Sequence, residues 1–246
     1  MGESTYAVRQ IENGRTEMDF PSSSGGVTTI FHPFIRGNYQ TIFNPKNFKK
    51  GVRMPTSVDI ADFVHAIFCG PEKFRKNHQA EEGKTSIMSH VLFVPVILIY
   101  TPSGYVVGGK DRFGVYAVLD KNGVREKIKF NPNKLETRLS QGKEVMPGVI
   151  LADGVSFAHR DTYRDGDQTP EELAKSGYIV ATYTPEGAEK LAEASKRFSY
   201  RPHVWVMETP TKVVRNVSSI FGSDKLNAYG YYGEDNDFGF SFGVKK

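Results

Sequence analysis

The sequence predicts an α+β protein in which helices pack on one mixed β-sheet. Two observations lead to this fold class. Between residues 91 and 130, apolar strand-like segments alternate with short polar turns, which predicts an antiparallel meander. Between residues 178 and 207, a strand, a helix and a second strand follow one another, which predicts a βαβ unit with two parallel strands. With 246 residues, 39% of them apolar and 24% charged, the chain is long enough to bury a substantial core.

The N-terminal segment 1–26 is predicted to form a hairpin followed by a linker. Two strand-like runs, TYAVRQI and TEMDF, flank an Asn13-Gly14 step that favours a tight turn. The following PSSSGG has the composition of a linker. Residues 27–246 are predicted to form a single α+β domain, which begins with an irregular arm at 27–55 that is rich in basic and aromatic residues.

The first helix is predicted over residues 56–70. Thr56 or Ser57 can cap its N-terminus, and Gly70 ends it. Its apolar residues recur at the spacing of one helical face, at Ile60, Phe63, Val64, Ile67 and Phe68. The helix is therefore expected to bury this face.

The meander is predicted to begin with the apolar run 91–100. This strand turns at TPSG into YVVGG, and a second hairpin joins GVYAVLD to VREKIKF through KNG. Pro95 interrupts the backbone donors of the first strand, which indicates a bulge or an edge position. A short helix is predicted to follow, with Pro132 at its start.

The second half of the chain contains the predicted βαβ unit. GYIVATY is interpreted as a buried strand, TPEGAEKLAEASKRF as a helix capped by Thr184, and RPHVWVM as a second strand parallel to the first. Leu191 is expected on the buried face of that helix. Beyond residue 209 the chain is rich in glycine and aromatic residues, and the pattern leaves open whether this tail, 209–246, is packed or flexible.

A resemblance adds to this interpretation. The stretch YIVATYTPEGAEKLAEASKRFSYRPHVWVM, with the ending FGFSFGV and the helix MPTSVDIADFVHAIF, resembles a set of uncharacterised archaeal hypothetical proteins. The resemblance covers about the last third of the chain, and its motifs are structural. That group has no assigned activity, so the resemblance implies no function.

Cysteine content and hydropathy exclude several classes of protein. Cys69 is the one cysteine, which excludes an internal disulfide framework and a zinc site with several thiolates. Cys69 is interpreted as a structural thiol and His65 as a packed or surface histidine. The N-terminal residues lack the apolar core of a secretory signal, and the apolar run 91–100 is too short to span a bilayer. A cytoplasmic protein without membrane contact is therefore expected.

The polar stretch HRDTYRDGDQTPEELAKS, residues 159–176, is the first candidate site. Counted from Asp161, the positions of Asp165, Gly166, Thr169 and Glu172 match ligand and turn positions of a twelve-residue calcium loop, although Tyr163 stands where a carboxylate is usual. The favoured interpretation is a polar loop in which Thr169 caps the next helix. No cofactor is expected apart from this possible calcium ion.

The same stretch offers weak catalytic candidates. His159 with Asp161 or Asp165 would provide a base and an orienting carboxylate for hydrolysis. No nucleophile, zinc or phosphate-binding motif accompanies them. The hypothesis of a catalytic pair therefore rests only on the closeness of these residues in the sequence. A hydrolytic or metal-assisted enzyme is therefore the alternative function rather than the leading one.

The second candidate site is the basic and aromatic arm. From Phe20 to Val58 there is no acidic residue. The nucleic-acid-binding candidates combine cations for phosphates with rings for unstacked bases: Arg36, Tyr39, Phe43, Lys46, Lys49, Lys50 and Arg53. The alternative, which the pattern favours for this segment, is that the rings dock onto the core. The leading function is nevertheless binding of RNA, single-stranded DNA or another polyanion, and a purely structural or interaction protein is a further alternative.

Overall fold

The computed structural model describes residues 6–11, 15–32, 34–48, 51–76, 90–108, 116–119, 125–129, 132–208, 210–211, 214–232 and 239–246. Its helices are α1 (Tyr39–Ile42), α2 (Ser57–Cys69), α3 (Glu72–Lys76), α4 (Pro132–Leu139), α5 (Pro170–Ala174) and α6 (Gly177–Ser195). The strands in the first half are β1 (Ala7–Ile11), β2 (Arg15–Pro21), β3 (Val27–His32), β4 (Ile35–Gly37), β5 (Val52–Arg53), β6 (Val91–Thr101), β7 (Gly104–Gly108), β8 (Tyr116–Leu119) and β9 (Arg125–Lys129). Those in the second half are β10 (Lys143–Met146), β11 (Val149–Ala152), β12 (Val155–His159), β13 (Gly166–Asp167), β14 (His203–Trp205), β15 (Val214–Gly222), β16 (Leu226–Tyr232), β17 (Gly239–Ser241) and β18 (Val244–Lys245).

A large mixed sheet forms the centre of the protein and confirms the α+β class. Over the described residues its strands lie in the order β10-β11-β12-β7-β6-β15-β16-β14-β13, and β17 joins β6 to β4. Most neighbours are antiparallel, whereas β14 is parallel to β16 and β17 is parallel to β6. The second hairpin of the meander, β8 with β9, forms its own two-stranded sheet within the described part of the chain.

Strand β6 runs through the core and is the longest strand among the described residues. Its residues Leu92, Val94, Leu98 and Tyr100 are buried in the main apolar cluster. Opposite β15, the register shifts between the pairs Val217↔Ile97 and Ser218↔Val94, so the two residues Pro95 and Val96 form a bulge. The bulge predicted at Pro95 is therefore confirmed.

Helices α2 and α6 pack against each other and cover the sheet. Helix α2 begins at Thr56 with a reciprocal capping box to Asp59 and ends at Gly70, as its sequence predicts. In α6, Gly187 permits close approach, because an added Cβ would lie 3.3 Å from the Cβ of Ala61 in α2. Within the described part of the chain, no helix is long and apolar enough to cross a bilayer.

The predicted βαβ unit is wrong. Residues 178–183 are helical and form the first half of α6, and Leu191 is buried on its second half as expected. The two halves meet at a kink, where Thr184 has φ 67° and Pro185 follows. The parallel neighbour of β14 is consequently β16, which comes after it in the chain. A short apolar run suits either a buried strand or a buried helix, and periodicity alone does not separate them.

Both ends of the described chain contribute to a five-stranded sheet in the order β1-β2-β3-β18-β5. The predicted N-terminal hairpin forms, and Met18 and Phe20 anchor it in the core. At the other end, β18 lies between β3 and β5, and Phe240 and Phe242 are buried. The described residues of the tail beyond 209 are thus largely packed strands.

Candidate functional site

The polar stretch 159–176 forms the start of a helix. Thr169 accepts a hydrogen bond from the Glu172 backbone N–H, and the Glu172 side chain accepts one from the Thr169 N–H, which together make a capping box for α5. Gly166 has φ 109°, which suits a residue without a Cβ. The favoured interpretation of this stretch, a loop with Thr169 as helix cap, is confirmed.

The carboxylates proposed as calcium ligands have separate partners. Asp165 accepts a hydrogen bond from the Val206 backbone at 2.9 Å, and Glu172 is bound by Thr169 and by Arg164. Asp161 is 79% exposed at its side chain. Among the described residues, Asp161, Asp165 and Glu172 do not form one close group of metal-ligating atoms. Helix capping thus occupies Glu172, the residue that would close the loop, and calcium binding here stays a prediction.

The catalytic candidates lie on the surface. His159 Nδ1 and Asp161 Oδ2 are 3.4 Å apart, and the two side chains are 45% and 79% exposed. Asp165 accepts instead a hydrogen bond from the backbone N–H of Val206, one residue beyond β14. An open cleft of about 350 Å³ lies beside Asp161 and is lined by Tyr163, Gln168 and Ser176 among others. His159 and Asp161 thus lie at the surface, and hydrolysis at this cleft stays a prediction.

The basic and aromatic arm divides into packed rings and exposed cations. Tyr39 and Phe43 are buried, with their ring centroids 4.8 Å apart, and Tyr39 also contacts Phe93. The rings are docked onto the core, which confirms the interpretation favoured for this segment. Neither ring is therefore placed to stack on a base.

The cations of the arm also differ from one another. Arg36 and Lys46 are exposed. Arg53 makes two hydrogen bonds to Asp59, at 2.6 and 2.9 Å, and so already has a carboxylate partner. Lys49 and Lys50 lie outside the described residues. Binding of RNA or single-stranded DNA by this arm stays a prediction.

A row of rings on the large sheet is the best-formed surface site. We call it the aromatic row; its members are Phe221, Tyr229, Trp205, His203 and Tyr231. Trp205 and Tyr229 are stacked with centroids 5.4 Å apart and an interplanar angle of 4°. Phe221 stacks on the other side of Tyr229 at 5.4 Å, and His203 lies 4.1 Å from Trp205. Tyr231, 40% exposed, meets both Trp205 and Tyr229 edge-on.

The alternation of β-strands produces this row. In β14, His203 and Trp205 face outward while Val204 is buried, and in β16 Tyr229 and Tyr231 face outward while Ala228 is buried. The parallel register places Trp205 directly beside Tyr229. Residues that are distant in sequence therefore form one continuous surface across three strands, with rings on the outside and the core behind it.

A charged group closes one end of the row. Asp167 Oδ1 accepts hydrogen bonds from His203 Nδ1 at 2.6 Å and from Lys225 Nζ at 3.1 Å. These two partners, His203 first, hold the pKa of the Asp167 carboxyl below its usual range. Trp205 Nε1 donates to Asn227 Oδ1 at 3.3 Å, which fixes the indole orientation. At the other end, burial and the charge of Asp165 raise the pKa of Tyr231.

The sheet behind the row is held by buried hydroxyl groups. The Tyr178 hydroxyl donates to the Tyr229 backbone carbonyl at 2.8 Å and also lies 2.8 Å from Ser218 Oγ. Gly230 has no room for a side chain, because an added Cβ would collide with Tyr100 and Tyr178. The backbone that carries Tyr229 and Tyr231 is thus fixed by α6 and β15, so the rings are presented by a rigid element.

The aromatic row is not among the sequence-predicted sites. The signal was available in two places, since HVWVM and NAYGYY both alternate large rings with small or apolar residues. HVWVM was correctly predicted to be part of a strand, but its predicted parallel neighbour was the segment 178–183. Without the pairing of β14 with β16, nothing brings Trp205 to Tyr229.

The fold and the aromatic row together define a class: an α+β protein with a row of rings on the outer face of its large sheet. A comparison of the sequence with protein families finds no match, and no curated protein matches it. Among solved structures, the chain is similar to a protein reported for the accommodation of massive sequence variation in Nanoarchaeota by the C-type lectin fold. The TM-score is 0.50 at 13% sequence identity, over 86% of this chain and 95% of that one. This similarity concerns the fold.

Proposed function

We propose that this chain is a binding protein whose recognition surface is the aromatic row, and that its ligand is another protein. The stacked rings of Phe221, Tyr229 and Trp205, with the His203 ring 4.1 Å from that of Trp205, carry the proposal. Tryptophan and tyrosine are enriched among the residues that contribute most to protein–protein binding, because they bury large areas and order few torsions. Tyr200, 63% exposed, donates its backbone N–H to the Asp224 carbonyl, in the turn that joins the strands of Phe221 and Tyr229.

The charges around the row favour a protein over a polyanion. Lys225, the cation at the polar end, is already paired with Asp167. Asp165 is close enough to Tyr231 to raise its pKa. A phosphate chain would have to displace the first carboxylate and approach the second, whereas a protein surface with apolar and cationic side chains meets complementary groups.

The rigidity of the surface supports the same function. Binding costs less conformational entropy when the recognition residues are held in place beforehand. Here the strands that carry the rings are hydrogen-bonded on both sides and fixed from behind by Tyr178. The structural neighbour is described as accommodating massive sequence variation, and a fold whose outward residues can change over a constant core suits a family of binding surfaces.

The proposal is tested by selecting peptides from a displayed random library against the full chain. Trp205 is the one tryptophan of the sequence and lies at the centre of the row, so its fluorescence reports on binding there directly. We expect selected peptides to contain aromatic and cationic residues and to change this fluorescence. Trp205→Ala and Tyr229→Ala, measured by calorimetry, should weaken binding at least about thirtyfold, the scale of residues that dominate interfaces.

The matched control is Val27→Ala, because Val27 is also an exposed apolar residue but lies on the five-stranded sheet. It should leave peptide affinity unchanged. Peptides that bind Trp205→Ala as tightly as the wild type would overturn the proposal. It would also fail if oligo(dT), or glycans on an array, changed the Trp205 fluorescence while no selected peptide did.

The other predictions from the sequence remain proposals of lower rank. Nucleic-acid binding by the arm rests on Lys46, Lys49, Lys50 and Arg36, since Arg53 is paired with Asp59. A cytoplasmic location also remains a prediction. The enzymatic alternative has the cleft beside Asp161 as its location and His159 as its candidate base.

A further inference from the structure

Helices α2 and α6 bring three different metal-ligating side chains together at a point remote from the aromatic row. His65 and Cys69 are four residues apart in α2 and so lie on one face of it. Glu193 comes from α6, and its Oε2 is 2.9 Å from His65 Nε2. The imidazole nitrogen, the sulfur and a carboxylate oxygen all lie within 4.8 Å of one another, the one such three-residue group among the described residues.

The two helices hold this cluster in fixed geometry. They approach closely at Ala61 and Gly187, and one turn before the cluster Lys190 is bonded to the buried Asp62. Asp62 also accepts hydrogen bonds from the Ser23 backbone and side chain. The His65 side chain is 20% exposed and that of Glu193 is 58% exposed, so the cluster is fixed at its base and open to solvent on one side.

From this geometry we propose that His65, Cys69 and Glu193 form a binding site for a divalent transition-metal ion of the zinc type. A set of one nitrogen, one sulfur and one oxygen donor suits Zn²⁺ or Co²⁺, whereas Ca²⁺ and Mg²⁺ require oxygen donors. Three protein ligands leave one tetrahedral position for water or an external ligand. The ion would connect α2 to α6. It would stabilise the native state by an amount that rises with the logarithm of the ion concentration relative to its Kd.

Arg197 gives the proposal a sharp internal test. Arg197 follows Glu193 by four residues, about one helical turn, and its positive charge acts on the Cys69 sulfur, so Arg197 competes there with a cation. Because Arg197 is exposed, its replacement does not disturb the core. Arg197→Gln should strengthen metal binding, an effect that a purely structural contact between the helices does not predict.

The experiment titrates the full chain, freed of metal by a chelator, with Co²⁺ and then displaces it with Zn²⁺. Since Cys69 is the one cysteine of the sequence, a thiolate-to-cobalt charge-transfer band identifies it as a ligand without ambiguity. We expect this band in the wild type, a rise in the melting temperature with Zn²⁺, and slower alkylation of Cys69 in the presence of Zn²⁺. Cys69→Ser, His65→Gln and Glu193→Gln should each weaken Zn²⁺ binding at least tenfold, and Arg197→Gln should tighten it.

Two controls separate this site from other surface groups. Glu189→Gln changes an exposed carboxylate one turn earlier in α6, and His159→Gln changes an exposed histidine beside Asp161. Both should bind Zn²⁺ as the wild type does. Absence of the charge-transfer band, or equal Zn²⁺ affinity in wild type and Cys69→Ser, overturns the proposal. Because alkylation protection is measured on the wild type, a poorly folded variant does not prevent a decision.

Discussion

Asp59 illustrates how a single residue combines local and tertiary roles. It closes the capping box of α2 by accepting from the Thr56 backbone at 2.6 Å, and it accepts two hydrogen bonds from Arg53. Burial alone would raise the pKa of its carboxyl, but the bonds from Arg53 and Thr56 outweigh burial and lower it. These hydrogen bonds attach the arm to helix α2, and the role of Arg53 is therefore structural.

Asp59→Asn should therefore reduce both stability and its dependence on pH. Loss of a buried charged acceptor is expected to cost about 1–3 kcal/mol at pH 7. A carboxyl with a lowered native pKa stabilises the protein above its unfolded-state pKa, and that contribution disappears as the pH falls through the native pKa. Wild type should lose stability below about pH 4, and the variant should lose less over the same interval.

Urea unfolding at neutral pH and near pH 3 measures this difference. Asp161→Asn is the matched control, because Asp161 is exposed and lies at the surface loop before α5. It should follow the wild-type pH dependence. If Asp59→Asn kept the full wild-type pH dependence, protonation of Asp59 would not be the cause of the loss of stability at low pH.

At the scale of the element, the first half of α6 shows why an apolar segment that is indeed buried was wrongly predicted to be a strand. Residues 177–183 are all buried, so no polar side remains to reveal a helical period. Thr184 and Pro185 resemble a helix start and led to a boundary there. The structure has a kink at this point, with Thr184 at positive φ, and the helix on its N-terminal side is stabilised by packing on all sides.

The arm is the second element for which packing decides the role of the side chains. Tyr39→Ala or Phe43→Ala should destabilise the fold by about 3–5 kcal/mol, because each ring is buried against others. Lys46 is exposed, and we expect Lys46, Lys49 and Lys50 changed together to Ala to leave stability within about 0.5 kcal/mol of the wild type.

The same triple variant tests nucleic-acid binding by fluorescence anisotropy of labelled oligo(dT) and oligo(U). If the arm binds them, affinity should fall steeply with salt, and the triple variant should bind more weakly with a flatter salt dependence. Val27→Ala again serves as a control with unchanged charge. Equal binding by the triple variant, or no binding by wild type at low salt, would end the polyanion prediction for this arm.

At the scale of the whole molecule, the C-terminal residues connect the two sheets. Strand β17 lies between β4 and β6 of the large sheet, and β18 lies between β3 and β5 of the smaller one. Phe242 between them is fully buried and contacts Phe63 of α2. The last eight residues therefore complete the core from two sides.

Replacing residues 239–246 by a Gly/Ser segment of equal length should abolish cooperative folding. Loss of Phe240 and Phe242 alone removes about 3–5 kcal/mol each, which is comparable with the whole stability of a typical domain. Near-ultraviolet circular dichroism and urea unfolding measure the outcome, with Lys246→Ser as a conservative control. A single sharp unfolding transition in the replaced variant would show that the two sheets are stable without β17 and β18.

The sequence by itself determined the features that depend on neighbouring residues. The limits of α2 follow from the Thr56–Asp59 capping box and Gly70, and the bulge in β6 follows from Pro95, which has no backbone donor. The cap at Thr169 follows likewise from Glu172 three residues later. Each of these signals acts over a few residues and is unaffected by the rest of the chain.

Tertiary structure alone decided the elements whose partners are distant in sequence. The helical state of 177–183, the pairing of β14 with β16, and the positions of β17 and β18 all depend on such contacts. The aromatic row depends on the second of these, and the cluster of His65, Cys69 and Glu193 on the packing of α2 against α6. An alternating or apolar pattern indicates that a face is buried. It does not indicate which element covers that face, because burial is favourable with any apolar partner. Chain connectivity and packing shape select that partner, and both surface sites proposed for this protein arise from that selection.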